Sequence, residues 1–343
     1  MRKVFISGVT GQDGAHLAQE LLNSGCQVFG GFRRGDDKFW RLDYLGIFER
    51  VELIEFQLSE PQSFFAILQE NQFDEIYHLA GESFVADSFG HPILTLELNT
   101  NAVCNLLEAT RLTSPHSRIF IASSSEIYGN GHGSTMLTEE SVANPGNPYG
   151  ISKLAADYFV KMYREVYGLF VCSGVMFNHE GPLRGRQFVT RKISHNLARL
   201  KMQGGPPLKL GNLNASKDWG AAADYVRAMV LMLRSDEPND YVIASGELNS
   251  VRDLLTLSSN AAGFRPIFEG EGLDETCRDE SSGLVLAQVD ERYFRLTETY
   301  PIAGDPSKIA NDLGWRRNQN LRQIVDSMVE ADVNRWKAGV SNV

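Results

Sequence analysis

The chain has 343 residues, 43% apolar and 22% charged, with a net charge of −10 and a pI near 5.3. That is the composition of a soluble globular protein with apolar material for one large domain or two joined ones, which excludes a disordered or fibrous chain. Lysine and arginine are scattered without a basic block, which argues against nucleic acid as a partner, and no stretch approaches a membrane span or a secretory leader.

Lys3–Gly8, KVFISG, reads as a buried strand ended by glycine, and Ala15–Gly25 carries apolar residues at helical spacing with Gly25 as its C-cap. Cys26–Arg34 and Val51–Leu58 read as the next strands, followed by a helix over Pro61–Asn71 and a fourth strand over Asp74–Gly81. A helix is expected over Leu94–Leu112, a fifth strand over Ser117–Glu126, a long helix over Tyr149–Gly168 and a sixth strand over Leu169–Asn178. This alternation gives a doubly wound α/β fold with a parallel sheet. From about residue 180 the loops lengthen and gain Gly, Pro and acid, as in GGPPLKLGN and FEGEGLDETCRDESSG, with helices expected at Ala222–Ser235 and Asn320–Trp336. The expected second unit is a smaller, mixed C-terminal substrate lobe, mainly 178–217 and 246–343, with about 218–245 returning to the first unit, 1–177. The position of Gly270–Gly283 suits a lid.

The four cysteines, Cys26, Cys104, Cys172 and Cys277, are far apart in sequence and show no metal-type spacing; none of them suggests a metal site, and the reducing cytoplasm is the expected compartment.

GVTGQDG, Gly8–Gly14, stands between the first strand and the first helix with glycines at 8, 11 and 14. Glycine there permits a tight turn and a close approach to a pyrophosphate resting on the helix N-terminus, the arrangement of a Rossmann-type dinucleotide site. Strand two ends GFRRGDD: Arg33 and Arg34 suit a 2′-phosphate and favour NADP, whereas Asp36 or Asp37 on a ribose hydroxyl would make the site one for NAD. At the other end, Tyr149 and Lys153 share one face of the long helix, where the ammonium lowers the cost of a tyrosinate that takes a hydroxyl proton as hydride leaves carbon. Ser124, at the end of strand five, would share that proton.

With those residues in place, the chain resembles the extended short-chain dehydrogenase/reductases, and within them it is most similar to the GDP-mannose 4,6-dehydratase family. The resemblance spans nearly the whole chain, in GVTGQDGAHLA, SSSEIYG, NPYGISK, MFNHEGPLRGRQFVTRKI, LGNLNASKDWG, DYVIASGELNSVRD, VDERYFR and GDPSKIANDLGW. It implies a use for the carboxylate of SSSEIYG, which a plain dehydrogenase does not need: Glu126 removes the sugar C5 proton after oxidation at C4 by Ser124, Tyr149 and Lys153. By position it further implies cofactor contacts at Gly8, Thr10, Gly11, Gln12, Asp13, Gly14, Gln57, Leu58, Leu79, Ala80, Gly81, Ser83, His179 and Arg184. It places Ser83, Ser125, Glu126, Asn178, Val189, Lys192, Gly211, Lys217, Arg295 and Glu298 around a GDP-sugar, and it implies a homodimer or homotetramer. Four departures stand out: Gln57 where the family has Asp, Glu82 and Phe84 where it has Gln and His, Lys217 and Ala221 in KDWGA, and Leu183 before Arg184.

The leading expectation is an NADP-dependent GDP-mannose 4,6-dehydratase activity. Its alternatives are a dehydratase for a bulkier GDP-heptose, suggested by Glu82 and Phe84, and a GDP-sugar C4 dehydrogenase, reductase or epimerase. A non-catalytic nucleotide-sugar module is opposed by the intact Ser124, Tyr149 and Lys153.

Overall fold

The computed structural model describes residues 1–35, 38–133, 135–294 and 301–340. The first half runs β1 (Lys3–Ser7), α1 (Gln12–Asn23), β2 (Gln27–Arg33), α2 (Trp40–Tyr44), β3 (Glu52–Phe56), α3 (Pro61–Asn71), β4 (Glu75–His78), α4 (Val85–Gly90), α5 (Pro92–Leu96), α6 (Ala102–Thr113), β5 (Arg118–Ser124), β6 (Met136–Leu137), α7 (Pro148–Tyr167) and β7 (Val171–Met176). The second half runs β8 (Asn178–Glu180), α8 (Val189–Gln203), β9 (Leu208–Leu210), β10 (Ser216–Ala221), α9 (Ala222–Leu233), β11 (Tyr241–Ile243), β12 (Leu248–Ser250), α10 (Val251–Ala262), β13 (Pro266–Glu269), β14 (Thr276–Asp279), β15 (Val285–Val289), β16 (Ala303–Gly304), α11 (Ser307–Leu313) and α12 (Leu321–Lys337).

Seven parallel strands form the main sheet in the order β11-β7-β5-β4-β1-β2-β3. The strand order reverses between β1 and β4, and the crevice beyond the carboxyl ends of strands at such a point is where doubly wound sheets take ligands. One face of the sheet packs α1 and α9 through Leu17, Leu21, Val226 and Met229; the other packs α3, α6 and α7 through Phe64, Leu106, Ala156 and Val160. A separate core joins α8, α10, α12 and the sheet β13-β14-β15-β9 through Leu197, Leu254, Cys277 and Val329. Residues 270–283, read from sequence as a lid, instead carry β14, an inner strand of that sheet.

The helix expected over Leu94–Leu112 is interrupted by a π turn at Glu97–Asn101. Its extra residue turns Asn99 and Thr100 inward. Asn99 accepts from Glu82 N (2.9 Å) and donates to Ser152 Oγ (3.0 Å), while the Thr100 hydroxyl donates to Ser152 O (2.8 Å). The π turn therefore ties the loop after β4 to the helix that carries Tyr149.

Candidate active site

The glycine turn is built by close approach. A Cβ on Gly14 would lie 2.3 Å from Gly8 O, so only glycine lets α1 start this near the end of β1. Gly14→Ala is expected to destabilise the fold by about 1–3 kcal/mol through overpacking, read as a lowered urea midpoint; a wild-type midpoint would mean that the turn has slack.

Asp13, in the first turn of α1, meets His179 of β8: Nε2 is 2.8 Å from Asp13 Oδ2 and Nδ1 is 2.8 Å from Phe177 O. Both partners are acceptors, so both ring nitrogens carry protons and the ring is an imidazolium. Burial disfavours that charge, but Asp13 outweighs it and raises the His179 pKa. Burial likewise pushes Asp13 up, and His179 with Arg184 overcomes it, holding the carboxyl at about 2. Gln12 donates to His179 O (3.1 Å), while its own Oε1 is buried without a partner at the cavity wall. Arg184 lies over the Phe188 ring at 3.6 Å, with Nε 3.1 Å from Glu180 Oε2 but not aligned for a hydrogen bond.

At the catalytic end, β5 delivers Ser124 and turns at once into a 3-10 segment, Ser125–Tyr128, capped by Ser124 Oγ accepting from Glu126 N (3.3 Å). Helix α7 opens with Asn147 as N-cap and Pro148 in the first turn, which places Tyr149 and Lys153 at its start. Tyr149 is 8% exposed; burial raises its phenol to about 12, against a hydrogen bond from Ser124 that lowers it. Burial lowers Lys153 to about 8. Its Nζ donates to Ala122 O (2.8 Å) and stands 5.7 Å from the centre of the Tyr149 ring. One turn on, burial raises the Asp157 carboxyl to about 6 while it accepts from the hydroxyls of Ser123 and Ser173 at 2.5 Å each. The Glu126 carboxylate is held by Asn147 Nδ2 at 2.7 Å from Oε2.

The glycine turn and the groups Ser124, Glu126, Tyr149 and Lys153 share one cavity of about 690 Å³. Its wall includes Gly8 and Thr10–Gly14 of the glycine turn, Arg33, Gln57 and Leu58, Leu79–Gly81 and Ser83 on the sheet side, then Ser124, Glu126, Tyr149 and Lys153, and then Asn178, His179, Arg184 and Val189 from the segment after β7. Several expected site residues lie elsewhere. Arg34 points outward, 73% exposed, in an ion pair with Glu55 at 2.7 Å; the turn after β2 sends consecutive side chains opposite ways, so only Arg33 of the pair reaches the cavity. Ser125 is buried as the first residue of the 3-10 segment, away from the wall. Lys192, Gly211 and Lys217 are also not among the described lining residues. Lys192 Nζ sits 3.9 Å over the Tyr293 ring, and a Cβ on Gly211 would lie 2.2 Å from Tyr293 O, so these two gather at the Tyr293 turn. Lys217 pairs in register with Asn249 on β12. Arg295 and Glu298, with Asp36 and Asp37, lie outside the described residues.

Sequence reasoning missed Arg41 and Asn147. Arg41 lines the cavity and joins its two halves, donating to Thr10 O and to Leu183 O at 2.8 Å each. Nothing in its surroundings in sequence marks it. Asn147 lies in NPYGISK, but neither its capping of α7 nor its bond to Glu126 was read from the sequence.

A family model described as GDP-mannose 4,6 dehydratase matches residues 5–328. A GDP-mannose 4,6-dehydratase of Vibrio cholerae is 38% identical over 97% of this chain and 94% of its own length. Among solved structures, RMD from Pseudomonas aeruginosa complexed with NADPH matches with a TM-score of 0.77 at 23% identity, over 98% of this chain and 100% of that one. A UDP-glucose 4-epimerase of Thermus thermophilus in complex with NAD matches with a TM-score of 0.81 at 22% identity, over 96% and 98%. The two structures agree on the fold, and the family match together with the Vibrio relative places this chain in the GDP-mannose 4,6-dehydratase family.

Proposed function

We propose that the protein is an NADP-dependent GDP-sugar 4,6-dehydratase, converting GDP-mannose to GDP-4-keto-6-deoxymannose. One observation carries the reading: the proton-taking set Ser124, Tyr149 and Lys153 and a separate carboxylate, Glu126, face the same cavity.

Tyr149, bonded to Ser124, takes the C4 hydroxyl proton, and Lys153 offsets the phenolate charge. The resulting ketone acidifies C5–H, and Glu126 removes that proton. The C6 hydroxyl then leaves as water with the proton that Glu126 has taken, and the proton held by Tyr149 goes back to C5 when hydride reaches C6. A nicotinamide cofactor, when bound, takes the hydride from C4 and returns it to C6. The residues fit such a group: the glycine turn leaves no room for a Cβ at Gly14, the α1 N-terminus faces the cavity, and buried Gln12 Oε1 lacks a partner. Gly8–Gly14, His179 and Arg184 would hold its pyrophosphate. Arg33 at the end of β2 supports a 2′-phosphate and hence NADP over NAD.

Mannose is the simplest sugar for the site. Glu82 Oε1 accepts from the amides of Ser83 and Phe84 at 3.0 Å each, and Phe84 packs edge-on against Phe188 at 5.8 Å. Neither contact calls for a bulkier sugar. Exposed Phe89 and Ile93 on α4 and α5, and Tyr158 on α7, support assembly of copies of the chain. Among the described residues no helix is long and apolar enough to cross a membrane, and the unpaired cysteines suit the cytoplasm.

The test is incubation with GDP-mannose and either NADP⁺ or NAD⁺, following product mass and absorbance of reduced cofactor. Loss of one water without net reduced cofactor, faster with NADP⁺, is the expected result. An oxidised product with accumulating reduced cofactor would replace the dehydratase with a C4 dehydrogenase.

The pH dependence follows from Tyr149 at about 12 and Lys153 at about 8. Below pH 8 the pair holds two protons, and the tyrosinate–ammonium form needs one to leave. That first loss is a property of the pair and falls near the lower value. C4 oxidation should therefore quicken about tenfold per pH unit below pH 8 and level off above it, measured in single turnovers. A flat profile from pH 6 to 9 would remove Tyr149 as the base.

A further inference from the structure

We propose that Asn147 is the positioning residue for Glu126, a role that rests on Glu126 being the C5 base. Its side chain makes two bonds in opposite directions. Oδ1 accepts from Gly150 N at 2.8 Å, which is all that capping α7 requires. Nδ2 donates to Glu126 Oε2 at 2.7 Å. Among the described residues that amide is the hydrogen-bond partner of the Glu126 carboxylate.

The surrounding backbone leaves little slack. A Cβ on Gly150 would sit 2.5 Å from Glu126 O, so the first turn of α7 lies directly on the 3-10 segment that carries the base. Asn144 N donates to Ile127 O at 2.8 Å, pinning the approach to Asn147 onto the same segment. Glu126 is thereby fixed to the helix that presents Tyr149 and Lys153, and the two proton-taking groups move as one unit.

The chemistry of the amide suits the task. A carboxylate that must take a carbon-bound proton has to stay ionised, keep one oxygen open and hold one rotamer. A neutral N–H on Oε2 fixes that oxygen and leaves Oε1 for the proton. An arginine or lysine in its place would make a tighter pair and a weaker base.

Two substitutions separate capping from positioning. Asn147→Ser and Asn147→Asp both keep an N-cap oxygen, so thermal unfolding should match the wild type. Serine is too short to reach Glu126, and aspartate turns a second carboxylate toward it. With GDP-mannose in single turnovers, C4 oxidation should stay within about twofold of wild type in both. Water loss should fall about 10- to 100-fold in Asn147→Ser, as for a misplaced reacting group. In Asn147→Asp the second carboxylate repels that of Glu126 instead of holding it, and water loss should fall as well. Unchanged water loss in both variants would overturn the proposal. So would a parallel fall of C4 oxidation and water loss, which would reduce Asn147 to a support of α7. The underlying reading fails separately, by intact water loss in Glu126→Gln. A crystal structure of Asn147→Ser judges the geometry without turnover: Glu126 should leave its wild-type position, and an unmoved carboxylate would refute the positioning role.

Discussion

Glu126→Gln is expected to abolish water loss while sparing C4 oxidation, so that reduced cofactor and the 4-keto sugar accumulate together. The replacement keeps the size of the side chain and an oxygen for Asn147 Nδ2 to reach, so the contact at 2.7 Å has a substitute and the turn after β5 is left as it is. What disappears is a group able to accept a proton. Positioned general bases contribute about 10²–10⁴-fold, and the elimination should slow by that factor. Rapid quenching with mass detection of the 4-keto species, beside absorbance of reduced cofactor, separates the two half-reactions. If water is lost at the normal rate, another group removes the C5 proton, and Tyr149, in the same cavity, becomes the candidate.

The largest expected loss of stability is at Asp332, far along the chain from the chemistry. Its carboxylate is fully buried and accepts from Arg191 Nε (2.8 Å), Ser194 Oγ (2.7 Å) and Arg335 Nη1 (3.0 Å). Asp332→Ala would leave two guanidiniums, 0% and 4% exposed, without their counter-charge. Removing one partner of a buried pair costs about 3–5 kcal/mol, because the remaining charge stays desolvated. Urea unfolding should show that loss, and Arg191→Met added to Asp332→Ala should recover a large part of it, since an apolar replacement ends the desolvation. A single variant within 1 kcal/mol of wild type would mean that the arginines escape to water. The same variant tests the site: Arg191 Nη1 donates to Arg184 O (2.8 Å) and Arg335 Nη2 to Pro182 O (2.7 Å), so the loop bearing Arg184 should loosen with the pair.

How much of this was legible before the structure depends on the range over which each signal acts. The strands β1 to β5 and the long helix α7 could be read because their cues are local: apolar runs and a helical period. The π turn at 97–101 could not, since it exists to bring Asn99 and Thr100 to Ser152, a partner some fifty positions away (|i−j| of 53 and 52). β11 is three residues long and is a strand because β7 pairs with it, at register Tyr241 to Gly174. In the site, the glycine turn, Ser124 and Glu126 were visible from spacing and resemblance. Arg41 was not: a guanidinium that satisfies two carbonyls, Thr10 O and Leu183 O, has no sequence neighbour that announces it. Arg34 looked equivalent to Arg33 until Glu55 on the adjacent strand drew it outward.

The carbonyls of Pro182, Leu183 and Arg184 each accept from an arginine on a helix: Arg335 of α12, Arg41 of α2 and Arg191 of α8 in turn. Arg335 also lies over the rings of Trp40 and Tyr44, on the helix that carries Arg41. The wall of the cavity is thus fastened to the last helix of the chain, and how long an occupant resides becomes a property of residues 321–337 as much as of those that touch it. A reaction that restores its own redox partner at every turnover has no need for rapid exchange. Fraying of α12 should therefore appear first as a faster off-rate, well before any change in the chemical step.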